Sequence, residues 1–501
     1  MPIHSPIMLI ICDGLGYSEA TAFNAVAHAQ TPFFDTLWAR YPHTLLNASG
    51  AFVGLPDNNP GNSEAGHLAI GTGRIIPQPS SFVLNAIKSG EFALNKKLID
   101  GLKTAHKASN RLHIMGLLSD AGIHSHEDIL YAVINAALQQ NIAHIYIHVF
   151  LDGRDTPPQS ADSFMQKIEA FIKKHPAVSV ASLCGRFYSM DRDNHWDRTE
   201  QVYRILTEQQ PRAFASWQTV LDHYYAQQIT DEHIPPTQLD SAGIIRPNDG
   251  IFFFNIRPDR ARQLTTAFID PAFNRFTRTI LPLSCFITPI PYHKDLVHYA
   301  LYQEPIVPNT LTDILLAHGK SIFAIAETEK YAHVSYFFNG RRESTKDNEM
   351  RILVPSLPLS SYEISPCMSA PAITQQVLAS VHNTMHDFYV INYANADMVG
   401  HSGNFNATIK AIECLDNQIG KLYTTIVKEL GGTLIITGDH GKAEEMFDIK
   451  SNQPKKAHTT NKVPYIEVIP HKQILIHMQS LTDVAPRILT LFGISIPPEM
   501  K

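Results

Sequence analysis

Short apolar runs recur along the chain, separated by longer stretches in which apolar residues return every three or four positions. The runs have the length and pattern of strands buried on both faces, and the stretches between them read as helices with one apolar stripe. Strands are predicted over 8–12, 113–117, 145–150, 178–181, 251–254, 321–326, 388–393 and 433–437. The clearest helix is predicted over 406–430, where Ile409, Ile412, Leu415, Ile419, Leu422 and Ile426 share a face and Gly431 and Gly432 close the end. Others are expected over 126–139, 162–174 and 370–385. This alternation belongs to an α/β protein with largely parallel sheets.

Ligands of open α/β sheets collect beyond the carboxyl ends of the strands, so the residues after each apolar run are the candidates for chemistry. One group holds acids and imidazoles: Asp13, then Asp397 and His401, then Asp439 and His440. A second follows the runs between about 110 and 260: His124 and His126, Arg154 and Asp155, Arg186 and Arg192, Arg257 and Arg260. The first group comes from both ends of the chain and the second from its middle. A discontinuous domain over 1–76 and 310–501 is therefore expected, with a second α/β domain over 79–304 inserted in it. The proline-bearing segments 76–79 and 304–310 are the expected hinges.

A chain of 501 residues exceeds what one core supports, which agrees with two domains. The formal charge of −6 gives no case for nucleic acid or an anionic membrane as partner. Cys12, Cys184, Cys285, Cys367 and Cys414 are scattered, odd in number and without a CxxC pair. That argues against a disulfide framework or a thiolate zinc site and fits a reducing cytosol. The apolar run at 7–12 is too short for a secretory signal, and no run reaches the roughly 18 residues that span a bilayer. A soluble, cytoplasmic protein is expected.

The chemistry centres on Pro60-Gly61-Asn62-Ser63-Glu64-Ala65-Gly66-His67, which places a serine where a glycine turn enters a helix. Unpaired N–H groups and a partial positive charge at such an end favour a phosphate on the serine oxygen. The flanking residues do not form a G-x-S-x-G elbow, so Ser63 needs an activator other than a His–Asp pair. The acid and imidazole group, joined by His458, offers one: carboxylate and neutral imidazole without thiolate suit Mn²⁺ or Zn²⁺, and a bound ion lowers the pKa of a hydroxyl.

Each residue also has a plainer reading. An Asp after a strand commonly caps a turn or helix, and among 25 histidines an Asp-x-x-x-His spacing arises by chance. Ser63 alone could be a helix cap. The arginines, which as a group suit a carboxylate and a phosphate, could each be a surface ion pair. Asp155, a candidate proton carrier for substrate hydroxyls, could be the partner of Arg154; Lys330, a candidate for stabilising a transferring phosphoryl group, could open a solvated helix.

Gly61-Asn62-Ser63-Glu64-x-Gly66-His67, Asp120-x-Gly122-x-His124-Ser125-His126, Asp152-Gly153-Arg154-Asp155-Thr156, Arg257-Pro258-Asp259-Arg260-Ala261-Arg262, Glu327-Thr328-Glu329-Lys330-Tyr331, Gly438-Asp439-His440-Gly441 and Ala457-His458-Thr459-Thr460-Asn461 occur in one order. In that order the chain resembles the cofactor-independent phosphoglycerate mutases of the alkaline phosphatase superfamily, over residues 8–498. The resemblance implies an alkaline-phosphatase-like, mostly parallel sheet with helices on both faces and an inserted transferase domain. It implies two Mn²⁺ ions, other divalent ions being possible, one held by Asp397, His401 and His458 and the other by Asp13, Ser63, Asp439 and His440. Substrate contacts would fall on His124, Arg154, Asp155, Arg186, Arg192, Arg257, Arg260 and Lys330.

The implied reaction interconverts 3-phosphoglycerate and 2-phosphoglycerate through a phosphoserine at Ser63, without 2,3-bisphosphoglycerate, in glycolysis and gluconeogenesis. Ser63, Asp155 and Lys330 would be catalytic, phosphoglycerate the partner and the monomer the working form. The rivals are a metal-dependent phosphomonoesterase of the same superfamily and a non-catalytic binding protein that keeps the fold. Cys12, Leu15, Ala65, Pro77, Ala121, Arg341 and Lys442 depart from the usual family pattern, and none removes a ligand or substrate residue.

Overall fold

The computed structural model describes the chain apart from residues 1–4, 212, 294–295, 297–298, 304–305, 360, 450–451, 471–476 and 501. Its contacts divide into two units, Met1–Gln78 with Pro305–Lys501, and Pro79–Glu304. Residues 304 and 305 of the second expected hinge lie outside the described residues.

The chain begins the first unit with β1 (Ile7–Cys12), β2 (His43–Leu46) and the helix Ser63–Thr72. The second unit then contributes β3 (Arg111–Leu118), β4 (His144–Leu151), β5 (Val178–Gly185), β6 (Thr237–Gln238), β7 (Gly250–Phe253), β8 (Cys285–Thr288) and β9 (Tyr299–Ala300). The first unit resumes with β10 (Ile322–Glu327), β11 (Glu349–Val354), β12 (Phe388–Tyr393), β13 (Thr433–Thr437), the short hairpin of β14 (Phe447–Asp448) and β15 (Gln453–Pro454), and β16 (Val463–Val468).

The sheet of the first unit runs β11-β10-β12-β1-β13-β16-β2. Its first five strands are parallel, and β16 is antiparallel to both β13 and β2. Alternate side chains of a strand point to opposite faces. Leu9, Ile11, Val390 and Ile435 enter one buried cluster, while Met8, Ile10, Tyr389, Ile391, Leu434 and Ile436 enter another. Helices cover both faces, which is why the strands read as unbroken apolar runs. The helix predicted over 406–430 is α-helical over Phe405–Tyr423 and continues as a π-helical turn over Thr424–Glu429.

The second unit is a sheet of order β6-β5-β4-β3-β7-β8-β9, parallel except for β6. No helix among the described residues is long and apolar enough to cross a membrane. Cys367 and Cys414 are disulfide-bonded, whereas Cys12, Cys184 and Cys285 are free. The expectation against a disulfide framework is corrected to this extent: one bond exists, between cysteines 47 residues apart that only the tertiary packing brings together.

A buried polar line crosses the middle of the second sheet. Asp249 Oδ2 lies 2.9 Å from His113 Nε2, His113 Nδ1 lies 3.0 Å from His148 Nε2, and His148 Nδ1 lies 2.8 Å from Ser182 Oγ. Burial lowers the pKa of His113, against the pull of Asp249, and lowers that of His148 with His113 adding to the effect. Both rings are held neutral in the folded chain and take up protons when it unfolds below about pH 6.5. The unfolded state then binds more protons, so stability falls as pH falls, by up to about 1.4 kcal/mol per pH unit for each ring. Hydrogen exchange of the β3 and β4 amides, corrected for its intrinsic pH dependence, should show protection declining from pH 6.5 to 5 and a shallower decline in His148→Gln. Equal slopes in the two proteins would remove the histidines as the cause.

Candidate active site

Asn62, not Ser63, caps the first helix of the site, its Oδ1 accepting from Ala65 N at 2.9 Å. Ser63 is thus the first helical residue and its hydroxyl is spared for other work. That helix packs directly on the end of β13. A Cβ at Gly66 would stand 2.4 Å from the Asp439 carbonyl oxygen, so only glycine permits the approach. Gly14, at φ +75°, turns the chain after β1 where a Cβ would meet the Asp397 backbone at 2.7 Å. Two close backbone approaches therefore bring Ser63, Asp439, Asp13 and Asp397 together from strand ends far apart in sequence.

Ser63 Oγ lies 3.1 Å from Asp13 Oδ1 and 3.1 Å from His440 Nε2. Lys330 Nζ donates to Ser63 Oγ at 2.7 Å and to Asp13 Oδ1 and Asp397 Oδ2 at 2.6 Å each. Lys330 is buried, and the solvated-helix reading is excluded. Burial opposes its charge, but Asp13, Asp397 and Asp439 together hold its pKa above the ordinary lysine range. Burial also works against ionised Asp397, yet Lys330 and His401 keep its pKa well below the carboxylate range.

Beside this lysine lies a cluster of one carboxylate and two imidazoles. Asp397 Oδ1 is 3.1 Å from His401 Nε2 and 3.2 Å from His458 Nε2, and the two Nε2 atoms are 3.1 Å apart. The Nδ1 atoms face carbonyl oxygens at 2.8 Å, of Lys456 for His401 and of Gly61 for His458. A neutral ring that donates from Nδ1 carries its lone pair on Nε2. Burial, with His440 alongside, takes the His458 pKa down to about 4, which keeps that ring neutral. Asp397 Oδ1 is itself buried without a hydrogen bond of acceptable geometry, as is Asp439 Oδ2. Oxygen and nitrogen donors grouped in this way suit a divalent cation. The second cluster joins Asp13, Asp439 and His440. Burial would strip the proton from His440, but Asp439, Asp13 and Asp397 raise its pKa to about 9, a measure of how strongly this corner favours positive charge.

Several supporting residues escaped the strand-end reading. Asn392 Nδ2 donates to Asp13 Oδ2 at 2.8 Å and lies 2.9 Å from His67 Nε2, and His67 Nδ1 stands 3.2 Å from Asp439 Oδ2. A lone amide inside the apolar run of β12 was the available signal. Glu444 accepts from the Lys442 N–H at 2.8 Å, from Asn461 Nδ2 at 3.0 Å and from the Thr459 hydroxyl, tying the turn after His440 to the segment that bears His458. Lys442, one of the departures from the family pattern, is buried with its Nζ donating to the Lys455 carbonyl at 3.0 Å.

The second unit gathers its own candidates. Arg186 donates from Nη1 to Asp152 Oδ1 at 2.7 Å and to Asp155 Oδ2 at 2.5 Å. The partner of Asp155 is therefore Arg186, while Arg154 stands 3.6 Å from Glu232. Asp259 pairs with Arg192 at 2.9 Å and Arg257 at 3.3 Å, and His124 lies 3.7 Å away. Arg260 donates to the Met190 carbonyl at 3.1 Å; burial, then Arg192, Arg186 and Arg154, pull its pKa down to about 10. Arg260 thus stands near three other guanidinium groups, a grouping of donors that suits an anion. His126, singled out with His124, instead caps the helix Glu127–Gln139.

A family model described as the BPG-independent PGAM N-terminus matches residues 83–294. A Legionella pneumophila protein named 2,3-bisphosphoglycerate-independent phosphoglycerate mutase is 46% identical over 100% of this chain and 98% of its own length. One of the same name from Cyanothece sp. is 42% identical over 99% and 94%. The crystal structure of Leishmania mexicana phosphoglycerate mutase at low cobalt concentration superposes with a TM-score of 0.85 at 30% identity, covering 99% of this chain and 97% of that one.

Proposed function

The chain belongs to the 2,3-bisphosphoglycerate-independent phosphoglycerate mutases, and on that premise we propose how its residues divide the work. It is an isomerase that interconverts 3-phosphoglycerate and 2-phosphoglycerate without 2,3-bisphosphoglycerate. Two divalent ions, manganese in the first instance, would be held by Asp397, His401 and His458 and by Asp13, Ser63, Asp439 and His440. Bound there, they would lower the pKa of the Ser63 hydroxyl and offset charge on the phosphoryl oxygens. The observation that carries this assignment is the convergence of Asp397 Oδ1, His401 Nε2 and His458 Nε2 within 3.2 Å of one another, while both Nδ1 atoms face backbone carbonyls.

Ser63 Oγ attacks the phosphorus of 3-phosphoglycerate, and the bond from phosphorus to the glycerate oxygen breaks. Lys330 supplies an ammonium for the charge that develops on the transferring group. Arg154, Arg186, Arg192, Arg257 and Arg260, with His124, bind the carboxylate and phosphate of the substrate. Asp155 gives a proton to the departing oxygen and takes one from the hydroxyl that then attacks the phosphoserine. The glycerate must turn between the two steps while it stays bound, and an arginine-rich anchor for its carboxylate permits that. The same anchor favours the mutase over a phosphomonoesterase. The domain assignment follows: the discontinuous unit is the metal-binding phosphatase-type domain, and the inserted unit holds the substrate. We place the enzyme in the cytoplasm, with the glycolytic supply of its substrate.

An enolase-coupled assay on 3-phosphoglycerate without bisphosphoglycerate tests the reading. Turnover should depend on Mn²⁺ and vanish under chelation. Inorganic phosphate as the main product would instead support the phosphomonoesterase.

A further inference from the structure

The Cys367–Cys414 disulfide is linked through Asn395 to the helix that carries Asp397. Cys367 is half-buried in the turn before the helix Ala370–Asn383, and Cys414 is buried on the helix Phe405–Tyr423. Asn395 Nδ2 donates to the carbonyls of Pro366 and Cys367 at 2.9 Å each. Asn395 is the first residue of the helix Asn395–Gly400, which carries Asp397 and ends against His401. On the other side of the turn, Ser369 N donates to Glu327 Oε1 at 3.3 Å, and Glu327 Oε2 accepts from Ser356 Oγ at 2.8 Å. Glu327 ends β10 and leads into the Thr328–Lys330 turn. Met368, with φ +46°, packs among Ala394, Val399, Ala407 and Ala411.

One turn therefore braces both the helix of Asp397 and the approach to Lys330, and the disulfide is its covalent anchor. A non-glycine residue in the left-handed region persists only where its surroundings hold it. The remaining cysteines are free and buried, so the bond is not part of a cross-linked scaffold. A single bond in such a chain has the character of a redox-responsive pair.

We propose that Cys367–Cys414 is a reversible redox modification site whose reduction weakens divalent-metal binding by Asp397, His401 and His458. The proposal rests on the assignment of those residues as ligands. A thiolate of a small dithiol attacks the Sγ of Cys367, the less buried residue of the pair, and the S–S bond breaks. Cys414 leaves as a thiolate and takes a proton. The second thiol of the reductant then attacks the mixed disulfide, closes its own disulfide and releases Cys367 as a thiol. Two electrons pass from the dithiol to the protein. The freed turn relaxes, Asn395 loses a fixed pair of acceptors, and the Asp397 carboxylate is held less firmly.

The test compares the full-length enzyme before and after reduction, with reductant removed, thiols counted and Mn²⁺ affinity measured by chelator competition. Two additional thiols and roughly 10- to 100-fold weaker binding are expected, the range typical of lost outer support at metal sites. Cys414→Ser should bind as weakly and ignore reductant, while Cys285→Ser should behave as the parent. Two new thiols with unchanged affinity would overturn the proposal alone, and so would the appearance of none. Absence of Mn²⁺ binding in the oxidised enzyme would overturn the ligand assignment and the proposal with it.

Discussion

Ser63→Ala should leave a folded chain that still binds Mn²⁺, with mutase activity lowered by roughly 10⁴-fold or more, the scale expected for removal of a nucleophile. The helix survives because Asn62 supplies its cap and Glu64 lies in its first turn. Lys330 keeps its bonds to Asp13 and Asp397, so the lost hydroxyl leaves no orphaned charge. The aim of three groups, Asp13, His440 and Lys330, at one serine oxygen has no structural purpose that alanine fails to meet. Labelled 3-phosphoglycerate should phosphorylate the parent and not the variant. Activity within about tenfold of the parent would remove Ser63 from the chemistry.

Lys330→Met should show two separate losses. In the metal-free protein Asp13 and Asp397 share this one ammonium, and removing one partner of a buried charge cluster costs about 3–5 kcal/mol. Calorimetry of metal-free samples should therefore find the variant unfolding well below the parent. Mn²⁺ should recover more of the deficit in the variant than it adds to the parent, because binding to the folded state alone stabilises it by mass action. Activity with metal restored should remain about 10²–10³-fold low, the cost of one preorganised electrostatic contact in the transition state. Equal unfolding temperatures of the metal-free proteins would show that Lys330 does not balance the carboxylates.

Much of this arrangement was legible because parallel strands buried on both faces advertise themselves as apolar runs, and the residue after each run is placed by topology. Asp13, Asp397, Asp439 and His440 needed nothing more to be singled out. Lys330 was legible as a candidate but not as a buried one, since the 3₁₀ turn Thr328–Lys330 that turns it inward carries no periodicity. Asp155 stands next to Arg154 in sequence yet bonds Arg186, because the Asp152 side chain folds that loop by accepting from the N–H groups of Arg154 and Asp155. Cys367 and Cys414 belong to different elements, and nothing in their spacing announces the bond. Glu444 and Asn392 act through other side chains, and such support shows only in three dimensions.

The contact at Gly66 has a mechanical meaning. The reach from the serine helix to the end of β13 is fixed by one backbone resting against another, as a hard stop fixes the travel of a lever. Such a stop does not soften with salt or acidity, unlike a spacing set by charges. Ser63 and Asp439 thus arrive in register as soon as the chain folds, their spacing gauged by contact alone.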